Sequence, residues 1–297
     1  MKVETEITRM LGMQVPIIGA PMFLVSRVEL VAAVTNAGGL GAFPSLNYRT
    51  HEEFRQALSE IKAKVGNKPF GVNLIVKGMG PLENPRLFQD MDACIEEKVA
   101  LIITSLGNPA QVVEKARKVG TRVFCDVINL KHAMKVKDAG ADALIAVTAG
   151  AGGHAGAISP LVLVPYLREK TGLPVVAAGG IATGAQIAAA LALGAGAAYV
   201  GTRFIATPES DAPQEFKEMI IACGPDDIIY SNKVSGVWGN FLKPSYDANF
   251  GKGNAWKDVW SAGQNVGLID DISPAGEVVS RMMREYAAAV KQVPLPT

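Results

Sequence analysis

The chain has 297 residues, 49% of them hydrophobic and only 6% aromatic, with 31 glycines, so it has enough aliphatic material for one large buried core and too little polarity for a disordered chain. Twenty-nine Lys and Arg against 28 Asp and Glu leave a net charge of +1, which excludes the basic face that nucleic-acid backbones require. Three cysteines without CxxC or Cys/His spacing exclude a disulfide framework and a metal site. No apolar run reaches the length of a membrane span, and the first residues lack the apolar centre of a signal peptide, so a soluble, cytoplasmic protein is expected.

Along the chain, a short apolar run followed by a break and a helical period recurs eight times. The predicted strands are 15–22, 39–44, 70–76, 100–106, 122–128, 143–149, 174–180 and 197–204, and helices are expected at 27–37, 51–64, 109–119, 131–139, 161–171 and 183–193. "THEE" at 50–53 is a capping box, Thr183 can cap the helix after strand seven, and Gly120, Gly140, Gly172 and Gly194 stand where helices should stop. Strands that are apolar throughout and alternate with helices imply an α/β parallel sheet covered on its outer face, and eight units favour a (β/α)8 TIM barrel. Residues 1–207 are assigned to the barrel. The aperiodic stretch 208–257, rich in Pro, Gly and aromatics, is read as a lid insertion after strand eight, and 258–297 as a C-terminal helical segment that completes the barrel, with its last helix over 274–291.

Active sites of such barrels lie at the carboxyl ends of the strands, which directs attention to the residues there. "AAGGIATG" (177–184) and "VGTRF" (200–204) put glycine turns after strands seven and eight, where backbone N–H groups and helix amino termini can hold a phosphate. Gly179, Gly180, Gly201 and Thr202 are candidate ligands, with tight packing turns as the alternative. Small residues at the end of strand one leave room for a flat ligand against Ala20, Pro21 and Met22. Asn73 and Asp126 are polar residues inside apolar strands, and each needs either a ligand or a protein partner. Among three histidines, His51 and His132 sit on helices and are expected to be solvated. His154 instead follows strand six within "VTAGAGGHAG", where Gly152, Gly153 and Gly156 leave it room to reach a ligand, as a proton-transfer group or as a polar residue in a loop. In "WSAGQ" (260–264), Ser261 and Gln264 have the spacing of a capping box.

Taken together and in order, "APMFLVSRVELVAAVTNAGGLGAF", "FGVNL", "AGAGGHAG", "PVVAAGGIATG", "AAYVGTRFIATPES" and "WSAGQNVGLID" resemble the nitronate monooxygenase family, formerly called 2-nitropropane dioxygenases. Flavin-dependent enoyl-[acyl-carrier-protein] reductases and NADH:quinone reductases share the scaffold. The resemblance implies non-covalent FMN, its phosphate held by the segments with Gly179, Gly180, Gly201 and Thr202. The ring would lie near Ala20, Pro21 and Met22, with Asn73, Asp126, Gly153 and Gln264 around the cofactor. His154 would be the catalytic histidine, and the reaction would convert an alkyl nitronate and oxygen to a carbonyl compound and nitrite. NAD(P)H-dependent reduction of enoyl thioesters or quinones is the alternative, and a homodimer is compatible with the resemblance. Two positions depart from the family: Asp126 stands where many relatives have a lysine, and the segment with Ser235 and Gly236 lacks a nearby arginine.

Overall fold

Strands with apolar side chains on both faces must be covered on both, and the chain achieves this by closing the sheet on itself. The computed structural model describes residues 1–76, 84–252 and 255–292. Eight parallel strands form a closed barrel: β1 (Ile17–Gly19), β2 (Leu40–Pro44), β3 (Gly71–Ile75), β4 (Leu101–Ser105), β5 (Arg122–Val127), β6 (Ala143–Val147), β8 (Val175–Ala178) and β9 (Ala197–Val200). Ile17 pairs with Ala198 to close the ring. Each predicted strand is present, but shorter than its apolar run, and the trimmed carboxyl ends are free to line a site. At the carboxyl end strand eight is cut most: Gly201 breaks it, and Thr202–Ile205 forms a short helix, α9, where extended chain is expected.

The outer wall is built from α2 (Val28–Asn36), α3 (His51–Val65), α4 (Leu87–Glu96), α5 (Ala110–Arg117), α6 (Leu130–Asp138), α7 (Pro160–Thr171) and α8 (Gly184–Ala192), and α13 (Ala275–Gln292) packs on α8 and α2. Thr50 and Glu53 form the expected capping box at α3, and Gly120, Gly140, Gly172 and Gly194 all carry positive φ. Unforeseen is α1 (Glu6–Leu11), whose Ile7 and Leu11 join Ile18, Leu40, Leu101 and Phe124 in the barrel's inner core. The α8–α13 contact needs Gly184, because a Cβ there would fall 1.9 Å from the carbonyl of Met282.

The described residues of the stretch 208–257 form defined elements. After α10 (Gln214–Ala222) come β10 (Ile228–Ser231), β11 (Gly239–Leu242), α11 (Lys243–Asn249) and α12 (Ala255–Asp258). The two strands form an antiparallel sheet with β7 (Gly153–His154), in the order β10-β11-β7. The glycine stretch after β6 is therefore paired chain rather than free loop. Two residues of the expected lid (253–254) and the end of the expected C-terminal segment (293–297) lie outside the described residues. Among the described residues no helix is long and apolar enough to cross a membrane.

Candidate active site

Side chains alternate along a strand, so each barrel strand sends every second residue inward. On β4 the inward series is Leu101, Ile103, Ser105; on β5 it is Phe124, Asp126; on β9 it is Ala197, Tyr199. On these three strands the lower positions are apolar and the uppermost polar, while Val147 and Ala178 keep the top layer apolar on β6 and β8. Above it opens a cavity of about 1410 Å³, lined by Ala20, Asn73, Asp126, His154 and Thr202 among others.

One wall is a directed hydrogen-bond chain across three strands. Asn73, 7% exposed, donates both amide hydrogens, to the Ile103 carbonyl at 3.2 Å and to Ser105 Oγ at 2.9 Å. The Ser105 hydroxyl donates to Asp126 Oδ2 at 2.5 Å. Among the described residues, Asp126 Oδ1 is buried with no partner. Burial pushes the Asp126 carboxyl up to about 6, while the Ser105 hydroxyl pulls the other way. Tyr199, whose phenol burial holds well above its ordinary value, faces the same space.

The opposite wall contains the glycine turns. Gly179 (φ 111°) has no space for a side chain: a Cβ would lie 2.6 Å from both the Ala151 nitrogen and Thr148 Oγ1. At Gly180 (φ 75°) a Cβ would meet nothing within 4 Å, and its N–H is already donated to the Gly150 carbonyl. What Gly180 offers a ligand is therefore room, in place of the expected N–H. The amino terminus of α8 is likewise taken: Glu285 Oε2 accepts from Gly184 N at 2.7 Å, and Gln186 Oε1 accepts from the N–H groups of Ala182 and Thr183. Thr202 is different, for its Oγ1 accepts from Gly263 N at 2.9 Å and keeps its own hydrogen to donate into the cavity. Next to it, Arg203 is 3% exposed and bonds both the carbonyl and the carboxylate of Asp271, fixing α9 to the chain that enters α13. Arg281 joins the same carboxylate and helps hold it down to about 2.

His154 stands at the third side, on β7. Its Nε2 lies 3.1 Å from Ser235 Oγ. The Ser235 hydroxyl also lies 3.2 Å from the Val237 carbonyl, and its one proton can serve only one of the two. When it serves Val237, His154 must donate from Nε2. Burial lowers the His154 pKa below its ordinary 6.5, so the imidazole is neutral at pH 7. The strand holding it is stitched in place. Gly239 pairs with His154, and a Cβ at Gly239 would lie 2.7 Å from the Gly153 carbonyl. Asn240, 1% exposed, donates to the carbonyls of Ala149 (2.8 Å) and Ala151 (2.7 Å). Tyr230 donates to the Ala155 carbonyl at 3.2 Å and stacks on Trp238 at 4.9 Å.

Thus Ala20, Pro21, Met22, Asn73, Asp126, Gly153, His154, Gly179, Gly180, Gly201 and Thr202 come together around one cavity. Gln264 does not line it. That residue is exposed, and its N–H donates to the Gly150 carbonyl while the neighbouring Ser261 and Asn265 line the cavity. Nor does Ser261 cap a helix, since the 3-10 turn begins after Gly263. His51 is also a correction, because its Nδ1 is 3.0 Å from the fully buried carboxylate of Asp90. His132 is exposed at the cavity mouth. Ser105, Tyr199, Ser235 and Asn240 were not singled out as site groups by position. For Ser105 and Tyr199 the usable signal was a polar residue at the inward, carboxyl-terminal position of an apolar strand.

The nitronate monooxygenase family model matches residues 4–243. The chain belongs to the nitronate monooxygenase family, whose members are oxidoreductases. A nitronate monooxygenase of Pseudomonas aeruginosa is 36% identical, with 72% of each chain covered. The (3aS,4S,5R,7aS)-5-hydroxy-7a-methyl-1-oxo-octahydro-1H-indene-4-carboxyl-CoA dehydrogenase of Rhodococcus jostii is 35% identical over 79% of this chain, and the match spans 64% of that relative's length. Among solved structures, FabK from Thermotoga maritima superposes with a TM-score of 0.87 at 32% identity, covering 98% of this chain and 99% of that one. The family is one of flavoproteins, and this cavity fits such a group: Gly180 leaves open space, Thr202 keeps a hydroxyl donor, and Asp126 presents an unpartnered buried oxygen.

Proposed function

We propose that the protein binds FMN in the barrel mouth and oxidises alkyl nitronates with oxygen to a carbonyl compound and nitrite. The observation that carries this reading is a neutral, partly buried histidine held on an ordered strand at the edge of a large cavity whose other walls suit a phosphate and a polar ring. Bound FMN would accept the electrons of the substrate and pass them to oxygen. The Thr202 hydroxyl and the backbone around Gly179 and Gly201 would hold the phosphate, and Asn73 and Asp126 would contact the polar edge of the ring. His154 would take the proton next to the nitro group of a neutral nitroalkane, or hold a preformed nitronate in place, with Ser235 fixing its ring. Residues 208–257 would cover the substrate side, with Trp238 and Val237 at the cavity edge. Three buried, free thiols suit a cytoplasmic setting.

The purified protein should be yellow, and with propyl nitronate it should consume oxygen and release nitrite. Colourless protein that does not take up FMN, or yellow protein without nitrite release, overturns the proposal. A second reading draws on the size of the cavity. At about 1410 Å³ it exceeds the roughly 300–1,000 Å³ of common small-molecule sites, so a nicotinamide or an acyl thioester could sit over the ring. The likeness to FabK and to a carboxyl-CoA dehydrogenase supports reduction of enoyl thioesters, or of quinones, with NAD(P)H. Oxidation of NADH or NADPH that depends on an enoyl thioester or quinone is its signature.

A further inference from the structure

The wall formed by Asn73, Ser105 and Asp126 has a polarity that the proposed reaction does not use. The hydroxyl hydrogen is directed at Asp126: Asn73 gives one hydrogen to the Ile103 carbonyl and one to Ser105, which leaves the Ser105 hydroxyl to donate to Oδ2. The chain ends on Oδ1, buried and unpartnered in the cavity wall. A carboxylate there can accept one more hydrogen, and a carboxylic acid can donate one. Among the described residues, no charge of opposite sign offsets it. Burial raises its pKa and the Ser105 hydroxyl lowers it, and the titratable groups beside it, Cys125 on its own strand and Tyr199 across the barrel, are kept neutral by burial. On β6 its register partner is Ile145. A buried carboxyl so placed responds strongly to any new charge a few ångströms away.

We propose that Asp126 is the proton-exchanging residue of the cofactor site, taking up one proton from water when the flavin ring is reduced and releasing it on reoxidation. This rests on the FMN reading above. Two electrons taken up by the ring with a single proton leave one extra negative charge on it, whichever donor supplies them. Asp126 removes the repulsion by changing from carboxylate to carboxylic acid, with the proton on Oδ1 and the Ser105 bond to Oδ2 kept. The ring and its wall together then take up two protons for two electrons, and their net charge does not change.

The test is the pH dependence of the midpoint potential of the FMN-loaded protein, joined to reduced-minus-oxidised infrared difference spectra. Above about pH 7 the wild type should take up two protons per two electrons and Asp126→Asn one. A carboxylic-acid carbonyl band should appear on reduction of the wild type and be absent from the variant. Ser105→Ala, which removes the bond favouring the charged form, should move the two-proton range to higher pH, and Asp126→Glu should restore the second proton. Equal proton counts in wild type and Asp126→Asn, or no carboxylic-acid band, overturn the inference while leaving FMN binding intact. Protein that takes up no FMN overturns both readings, and its lack of colour tells that outcome apart.

Discussion

Two sides of one cavity are built in opposite ways. Asn73, Ser105 and Asp126 stand on β3, β4 and β5, strands paired on both edges within a closed barrel, and their positions follow from the barrel register. His154 stands on a two-residue strand at the end of a three-stranded sheet, held by Gly239, Asn240 and Ser235 of the insertion. Polar groups on the rigid wall are fixed before any ligand arrives, as cofactor chemistry requires. The histidine's position is set by a separate three-stranded sheet outside the barrel. Substitutions on the two sides should therefore fail differently, those at the histidine side in turnover and those at the strand ends in the properties of the cofactor site.

The sharpest contrast is His154→Ala, expected to cut turnover of neutral nitroalkanes by about 10²–10⁴ while FMN stays bound. Loss of FMN together with activity would break the division. Gly239→Val comes next. A side chain at that glycine meets the Gly153 carbonyl, so β7 must shift and turnover should fall about 10²-fold, with little change in FMN affinity. On the other wall, Asp126→Asn should stabilise the ligand-free protein above pH 6 by on the order of 2 kcal/mol. The sign follows from the raised pKa: the folded state binds the Asp126 proton more tightly than the unfolded chain, so this group's contribution is present below the ordinary 3.8 and is lost as pH rises through about 6. Melting curves at pH 4.5 and pH 8 read it, and equal effects at both would contradict a buried, unpaired carboxylate. The smallest effect is expected of Ser235→Ala, which removes the Nε2 partner of His154 and should lower kcat/KM for nitroalkanes severalfold, about 1 kcal/mol. In the parent enzyme the acid-side fall of that rate should come at lower pH than for an ordinary imidazole, because burial lowers the His154 pKa.

The barrel was legible because its strands are buried on both sides, which leaves apolar runs that a sequence displays openly. Gly179 and Gly201 could be placed because the turns after the last two strands are fixed by the fold. What the sequence hid depends on partners distant in the chain. β7 is a Gly-His dipeptide with no period of its own, and it is a strand only because Gly239 and Asn240, more than eighty residues away, pair with it. His51 reads as a surface residue until α4 brings Asp90 beneath it. The α8 amino terminus looks open to phosphate, and Glu285, a hundred residues later, fills it. Gln264 matched a motif by order, yet the turn that starts there directs Asn265, not Gln264, to the cavity.

The proposed role of FMN in this barrel is nitronate oxidation, with His154 on the substrate side. It is tested most directly by mixing the FMN-loaded protein anaerobically with propyl nitronate and, separately, with NADH or NADPH, and following the flavin absorbance. Rapid bleaching by the nitronate is expected, and none on that time scale by either nicotinamide. Bleaching by a nicotinamide alone would contradict it and assign the cavity to a reductase.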